Sequence, residues 1–169
     1  MVTRREHIHE PEPCVWLEEL YGEPLSAEPS VEDFYRQLEV SVERLSSYGP
    51  ATDVIAERSP LDFIAYMLAL DDLRRGSASE AVKRAITLAA DGIAHIDLLI
   101  VLPLNITDSI AVPEDEDPEL REAMNERLVE IVASDQFDLL GGRSVRVAEL
   151  EGTPRRRLSE LERLIAGTR

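Results

Sequence analysis

A layered α/β fold, three-layer α/β/α around a parallel sheet, is predicted for this chain by three observations. Strand-like and helix-like segments alternate in the order strand, helix, strand, helix, helix, strand, helix, strand, helix. The run "HIDLLIVLPL", His95 to Leu104, is apolar at consecutive positions, the pattern of a parallel strand covered on both faces. The helical segments place apolar residues three and four apart, so each has one face to bury. With no internal repeat and no low-complexity linker, the 169 residues read as a single domain, 1–169, long enough for a core of its own.

The elements follow in order. Pro11 and Pro13 frame "CVWLEEL", a short bounded apolar run that reads as the first strand. After the polar connection "YGEPLSAEPS", Ser30 caps a helix, with Asp33 in the place of the usual capping-box Glu. Val31, Phe34, Leu38, Val42 and Leu45 form its apolar face, and Gly49-Pro50 ends it. Val54 to Glu57 is the second strand. Ser59 caps the next helix, Pro60 suits its first position, and Leu61, Ile64, Ala65 and Leu68 make its stripe. "SASEAVKRAITLAADGI" is a helix begun at Ser77 or Ser79 and stopped near Gly92. "DPELREAMNERLVEIVASD" is a helix, "SVRVAEL" a strand, and "TPRRRLSELERLIAG" a last helix with Thr153 as its N-cap.

Composition narrows the function. Hydrophobic residues make up 44% and charged residues 31%, as in globular proteins, and the longest apolar run is too short to cross a bilayer. The opening "MVTRREHIHEPEP" has no apolar signal core, so a cytoplasmic location is expected. A lone cysteine, Cys14, leaves no internal disulfide and no multi-cysteine zinc site. The net charge of −16 opposes general binding to DNA or RNA, because such binding rewards cationic surfaces. It does not exclude a local basic pocket for a phosphate.

In a parallel sheet the ligand site lies beyond the carboxyl ends of the strands. That rule gathers Glu18-Glu19, Glu57-Arg58-Ser59 and the loop after Leu102 on one edge. Acids at neighbouring strand ends can hold Mg²⁺ through water or accept a proton from a hydroxyl. An adjacent Arg can bind a phosphate in bidentate fashion. Each residue also has a structural explanation. Ser59 and Asp62 form a capping-box pattern, Arg58 can pair with a nearby acid, and Glu57 can be a solvated strand end. Arg121 and Arg127 are six apart, on different faces of a straight helix, and can pair with Asp117, Glu122, Glu126 or Glu130. His7 and His9, with Glu6 and Glu10, are a weak candidate for a metal site. There is no Gly-x-Ser-x-Gly elbow and no His-Glu-x-x-His, so hydrolase readings lack support.

Three of these segments together resemble a known group. "VIAERSPLDFIAYMLAL" is similar to the "DR-x-x-x-D-x-x-AY" segment of the AAA-type P-loop NTPase family that includes nicotinamide-riboside-kinase-like proteins, and its Glu-Arg-Ser triplet resembles that of deoxynucleoside kinases. "HIDLLIVLPLN" through "ELREAMNERLVEIV" resembles that family's fourth strand and lid, about residues 105–135, and "RSVRVAELEGTPRRRLSELERLI" its fifth strand and last helix. The resemblance covers roughly Cys14 to Ile165. It implies a nucleotide- and ATP-binding, kinase-like phosphotransferase acting on a small hydroxyl substrate, with ATP or GTP and Mg²⁺ as cofactors. Glu57 would sit near Mg²⁺, Arg58 would bind substrate or phosphate, and Glu18 or Glu19 would face the substrate hydroxyl. Arg121 and Arg127 would be lid arginines, and Thr153 would lie near the nucleotide.

The chain departs from that family in one respect: it contains no Gly-x-x-x-x-Gly-Lys-Ser/Thr. Without it there is no backbone cradle for phosphate, no phosphate lysine and no Mg²⁺ hydroxyl. In the family this element comes first, with a strand that sits mid-sheet. The expectation is an element encoded upstream of Met1, with weak ATP binding and no activity for these residues alone. The alternative is a non-catalytic regulatory or interaction module. Either way an unfilled sheet position is expected, and with it a tendency to self-association.

Overall fold

The structure is a computed structural model, and it describes residues 7–104, 117–142 and 144–167. Among them are four strands: β1 (Ile8–Glu10), β2 (Val54–Ala56), β3 (Leu98–Val101) and β4 (Arg146–Glu149). The helices are α1 (Pro13–Trp16), which runs into a π-helical turn at Leu17–Tyr21, then α2 (Val31–Ser47), α3 (Pro60–Asp72), α4 (Ser79–Ile93), α5 (Pro118–Ser134) and α6 (Pro154–Ala166). The molecule is thus a mixed α/β fold.

Local chemistry explains the helix starts. Ser30 accepts from the Asp33 N–H at 3.2 Å while Asp33 accepts from the Ser30 N–H at 2.7 Å, a reciprocal cap. Ser59 and Asp62 repeat the arrangement at α3, where the Ser59 N–H donates to Asp62 at 2.8 Å. Asp117 accepts from the N–H groups of Glu119 and Leu120 ahead of α5, and Thr153 from that of Arg156 ahead of α6.

The core lies among α2, α3, α4 and α5. Leu38, Leu61, Phe63, Ile64, Met67 and Ala85 are almost wholly buried there, and Phe34 stacks on Tyr66 with ring centroids 4.4 Å apart. Close approach of α4 to its neighbours needs Gly92. A Cβ at that position would meet Val42 Cγ2 at 2.8 Å and Pro60 Cγ at 2.9 Å.

The single parallel sheet expected from the alternation is not formed. The strands make two separate parallel pairs, β1 with β2 and β3 with β4. Nor is β3 covered on two sides: Leu99 and Val101 are buried, whereas Leu98 and Ile100 are only partly so. On the β1–β2 pair, Glu10 is buried under α2, but His9 and Ile55, on the opposite face, are exposed. None of the residues of α6 is buried, although its sequence has an apolar stripe. The packed core is therefore mainly helical, and α6 contributes no buried residue to it.

Two further expectations are corrected. "CVWLEEL" is helical, because Pro13 stands at a first helical position and Leu17 turns inward. The first strand lies earlier, in "IHE", where pairing to Val54–Ala56 holds a segment whose sequence is mostly polar. The stretch likened to a lid divides: 105–116 lies outside the described residues, and α5 packs along α3 with Leu120, Met124 and Ile131 buried, so 118–134 is core.

Candidate functional site

A cleft of about 1430 Å³ opens between β2 and β3. Val54 to Ser59 line one wall, Ile96 to Leu104 the other, and Arg157, Leu161 and Ile165 of α6 border it. Of the residues singled out from sequence, the cleft brings together Glu57, Arg58 and Arg121, and His7, Ser59 and Asp62 also line it.

Arg58 follows β2 and sits at φ 64°, a left-handed conformation that costs a non-glycine residue about 1–2 kcal/mol. Its contacts hold it there. Nε donates to Glu12 Oε1 at 3.1 Å, Nη1 lies 3.7 Å from Asp62 Oδ1, and the guanidinium stands 5.6 Å from the Tyr66 ring centre. Burial disfavours the charge, but Tyr66, Glu12 and Asp62 together outweigh it and push the guanidinium pKa above its ordinary value. Arg58 thus ties the chain before α1 to the first turn of α3. Glu57 Oε1 lies 2.7 Å from His9 Nε2, both side chains being largely exposed. Arg121 is half-buried and engaged with neighbouring groups. Asn125, one turn along α5, accepts from the Leu104 N–H at 2.8 Å and so anchors the chain beyond β3.

Three expected site residues lie elsewhere. Glu18, placed on a strand end by the sequence reading, is on the exposed π-helical turn and outside the cleft lining, as is Glu19. Arg127 faces α3 instead, donating to Asp72 through Nε at 2.5 Å and Nη2 at 2.6 Å, and to Glu130 at 2.8 Å. Thr153 borders a smaller depression with Arg155, Arg156, Ser159, Glu160 and Arg163. Glu12 is the rim residue the sequence reading missed, and His9, considered there only for a metal, is instead the partner of Glu57. Their signal was only the acid–histidine alternation of "HIHEPEP", with partners more than forty positions away.

Among the described residues no group of three or more His, Cys, Asp or Glu could hold a metal ion. Of the suggested cluster of His7 and His9 with Glu6 and Glu10, Glu6 lies outside the described residues, and the Glu10 carboxylate is taken by Arg44, Tyr48 and Trp16. At the rim Glu12 and Asp62 are engaged with Arg58, which leaves Glu57, itself beside His9, as the carboxylate nearest to hand for a cation. Mg²⁺ commonly takes one or two carboxylates together with substrate phosphates, so these residues make no Mg²⁺ site by themselves. Also among the described residues, no helix is long and apolar enough to cross a membrane. Comparison with family models, curated proteins and solved structures found no match to this chain.

Proposed function

We propose that these residues form the greater part of a kinase-like, P-loop-NTPase-type nucleotide-binding domain whose phosphate cradle is not among them. One observation supports this reading above the others. Two parallel strand pairs flank one cleft, and the Glu57-Arg58 pair and Arg121 stand along it, where a phosphate-bearing ligand would meet two cations. Parallel strands that end in charged, helix-capping turns are the usual setting of such sites. The substrate class would be a nucleoside triphosphate with a small hydroxyl acceptor. A polyphosphate would have to draw Arg58 from Glu12, and a cation would have to draw Glu57 from His9. Affinity of these residues alone is therefore weak.

The test is a titration of Mg-ATP into the 169-residue chain, followed by amide shifts of Arg58, Ser59 and Arg121. Expected are millimolar, saturable shifts at the cleft that Arg121→Ala diminishes. No shift at these amides at millimolar Mg-ATP overturns nucleotide binding here, and micromolar affinity overturns the need for a separate cradle.

A second reading, a non-catalytic interaction module, is favoured by the pairing of the rim charges. Glu57 with His9, and Arg58 with Glu12 and Asp62, are already satisfied as a structural clamp. Saturable binding that leaves these side chains unmoved would favour it.

A further inference from the structure

β2 and β3 are each hydrogen-bonded along one edge. In a parallel ladder the N–H and C=O of one residue serve one neighbour, and those of the next point the other way. The Ile8 N–H donates to the Asp53 carbonyl and the Glu57 N–H to that of Glu10, so β1 uses backbone positions 53, 55 and 57. Val54 and Ala56 turn theirs away from β1. The Arg146 N–H donates to the Asp97 carbonyl and the Leu150 N–H to that of Val101, so β4 uses positions 97, 99 and 101. Leu98 and Ile100 turn theirs away from β4. All four of these residues line the same cleft, and no strand among the described residues pairs with those edges.

We infer that this cleft takes one extended apolar strand from another polypeptide, running parallel to β2 and β3, bonded on one side to Val54 and Ala56 of β2 and on the other to Leu98 and Ile100 of β3, with cationic residues at its leading end. Unpaired strand edges are templates for an added strand, and main-chain bonds supply the affinity of that recognition mode. A helix satisfies its own backbone and would leave both edges unbonded. The occupant is apolar because the faces it meets are apolar: Ile55 is 42% and Leu102 54% exposed, and Leu161 and Ile165 of α6 lean on the same space. Its leading end is cationic because Asp53 and Asp97 immediately precede the two edge strands, whereas Arg58 and Arg121 stand at the far end. A second copy is the poorer occupant. Its described strands are already paired, and it carries the same negative charge. Among the described residues both edges are free, and they carry this proposal whether or not a nucleotide binds at the rim; a strand supplied with a phosphate cradle would compete for the same place.

The experiment adds a synthetic peptide, Lys-Lys-Val-Ile-Val-Val-Thr, to the full 169-residue chain and follows amide hydrogen exchange by NMR. Expected is a slowing of about tenfold or more at Val54, Ala56, Leu98 and Ile100, with smaller change at the already bonded Ile55 and Leu99. The variant Ala56→Pro removes one edge donor without removing a β1–β2 bond, and weakens the peptide. The double variant Asp53→Lys/Asp97→Lys, changed only at exposed side chains, reverses the preference towards a peptide led by two glutamates. It keeps the test open should the proline variant fail to fold. Absence of protection at the four amides, an unchanged charge preference, or protection that grows with protein concentration and without peptide overturns the proposal. The last result would make a second copy the occupant.

Discussion

Arg44 holds Glu10 in a two-pronged grip, with Nε 2.9 Å from Oε1 and Nη2 3.1 Å from Oε2. The guanidinium also lies over the Trp16 ring, 4.3 Å from its centre, while Tyr48 and the Trp16 indole N–H donate to the same carboxylate. This cluster seats β1 on α2 and α1. Glu10 is 4% exposed, so its charge depends on these partners. Truncation in Glu10→Ala leaves Arg44 without a counter-charge and is expected to cost roughly 2–3 kcal/mol, reduced from a fully buried pair because Arg44 is partly exposed. Urea unfolding checks the value.

The same carboxylate sets an acid limit. Burial raises its pKa, but the hydrogen bonds from Arg44, Tyr48 and Trp16, with the Arg44 charge, bring it below the ordinary 4.5. A depressed folded pKa contributes stability that is present above 4.5 and lost as pH falls from there through the folded value. The unfolding free energy of the native chain should therefore drop more steeply below that pH than that of Glu10→Gln. Denaturation curves at a series of acid pH values read the difference.

Arg58 offers a backbone test. Its left-handed φ penalises any residue with a Cβ, and the ion pairs to Glu12 and Asp62 offset the penalty. Arg58→Ala loses the pairs and keeps the strain, whereas Arg58→Gly loses the pairs and relieves it. The glycine variant should be the more stable of the two by about 1 kcal/mol. Equal urea midpoints would show that the strain is absent.

Gly92→Ala brings a methyl group against Val42 and Pro60, both held by the core. Overpacking of that kind typically costs about 1–3 kcal/mol. A thermal midpoint lowered relative to the native chain is the expected reading, and the pair Thr87→Ala and Thr87→Gly, at an exposed position of the same helix, provides a control for helix propensity.

Asp72 and Arg127 join α3 to α5 at the surface. The hydrogen bond from Arg127 lowers the Asp72 pKa against the opposing effect of burial. Both side chains are about a third exposed or more, so solvent screening limits the pair. A double-mutant cycle on Asp72→Asn and Arg127→Gln should give a coupling of about 1 kcal/mol or less, shrinking as salt is added.

The helices were readable because their signals are local. Ser30 with Asp33, Ser59 with Asp62, and Thr153 ahead of Pro154 each act within one turn, and the structure keeps all three as caps. The strands were readable only where they were apolar. Ile8–Glu10 escaped notice because its inward residue is an acid whose partner, Arg44, lies far along the chain. Cys14–Leu20 was taken for a strand because a short apolar run has no period of its own. Glu18 fell from the site with that strand. Glu57, Arg58 and Arg121 line the cleft, since one strand, β2, and one helix, α5, both read from sequence near where they lie, carry them. The grip of Glu12 on Arg58 spans too much sequence for any short-range pattern to announce.

The brevity of the strands has its own consequence. Among the described residues no sheet exceeds two members, and none of the four strands is longer than four residues. Paired ribbons of that size barely persist alone in water. Cohesion therefore resides in the helical half, which should collapse first and outlast the ribbons during gentle denaturation. Any ligand that binds between the two ribbons and not to the unfolded chain would raise the melting temperature by mass action.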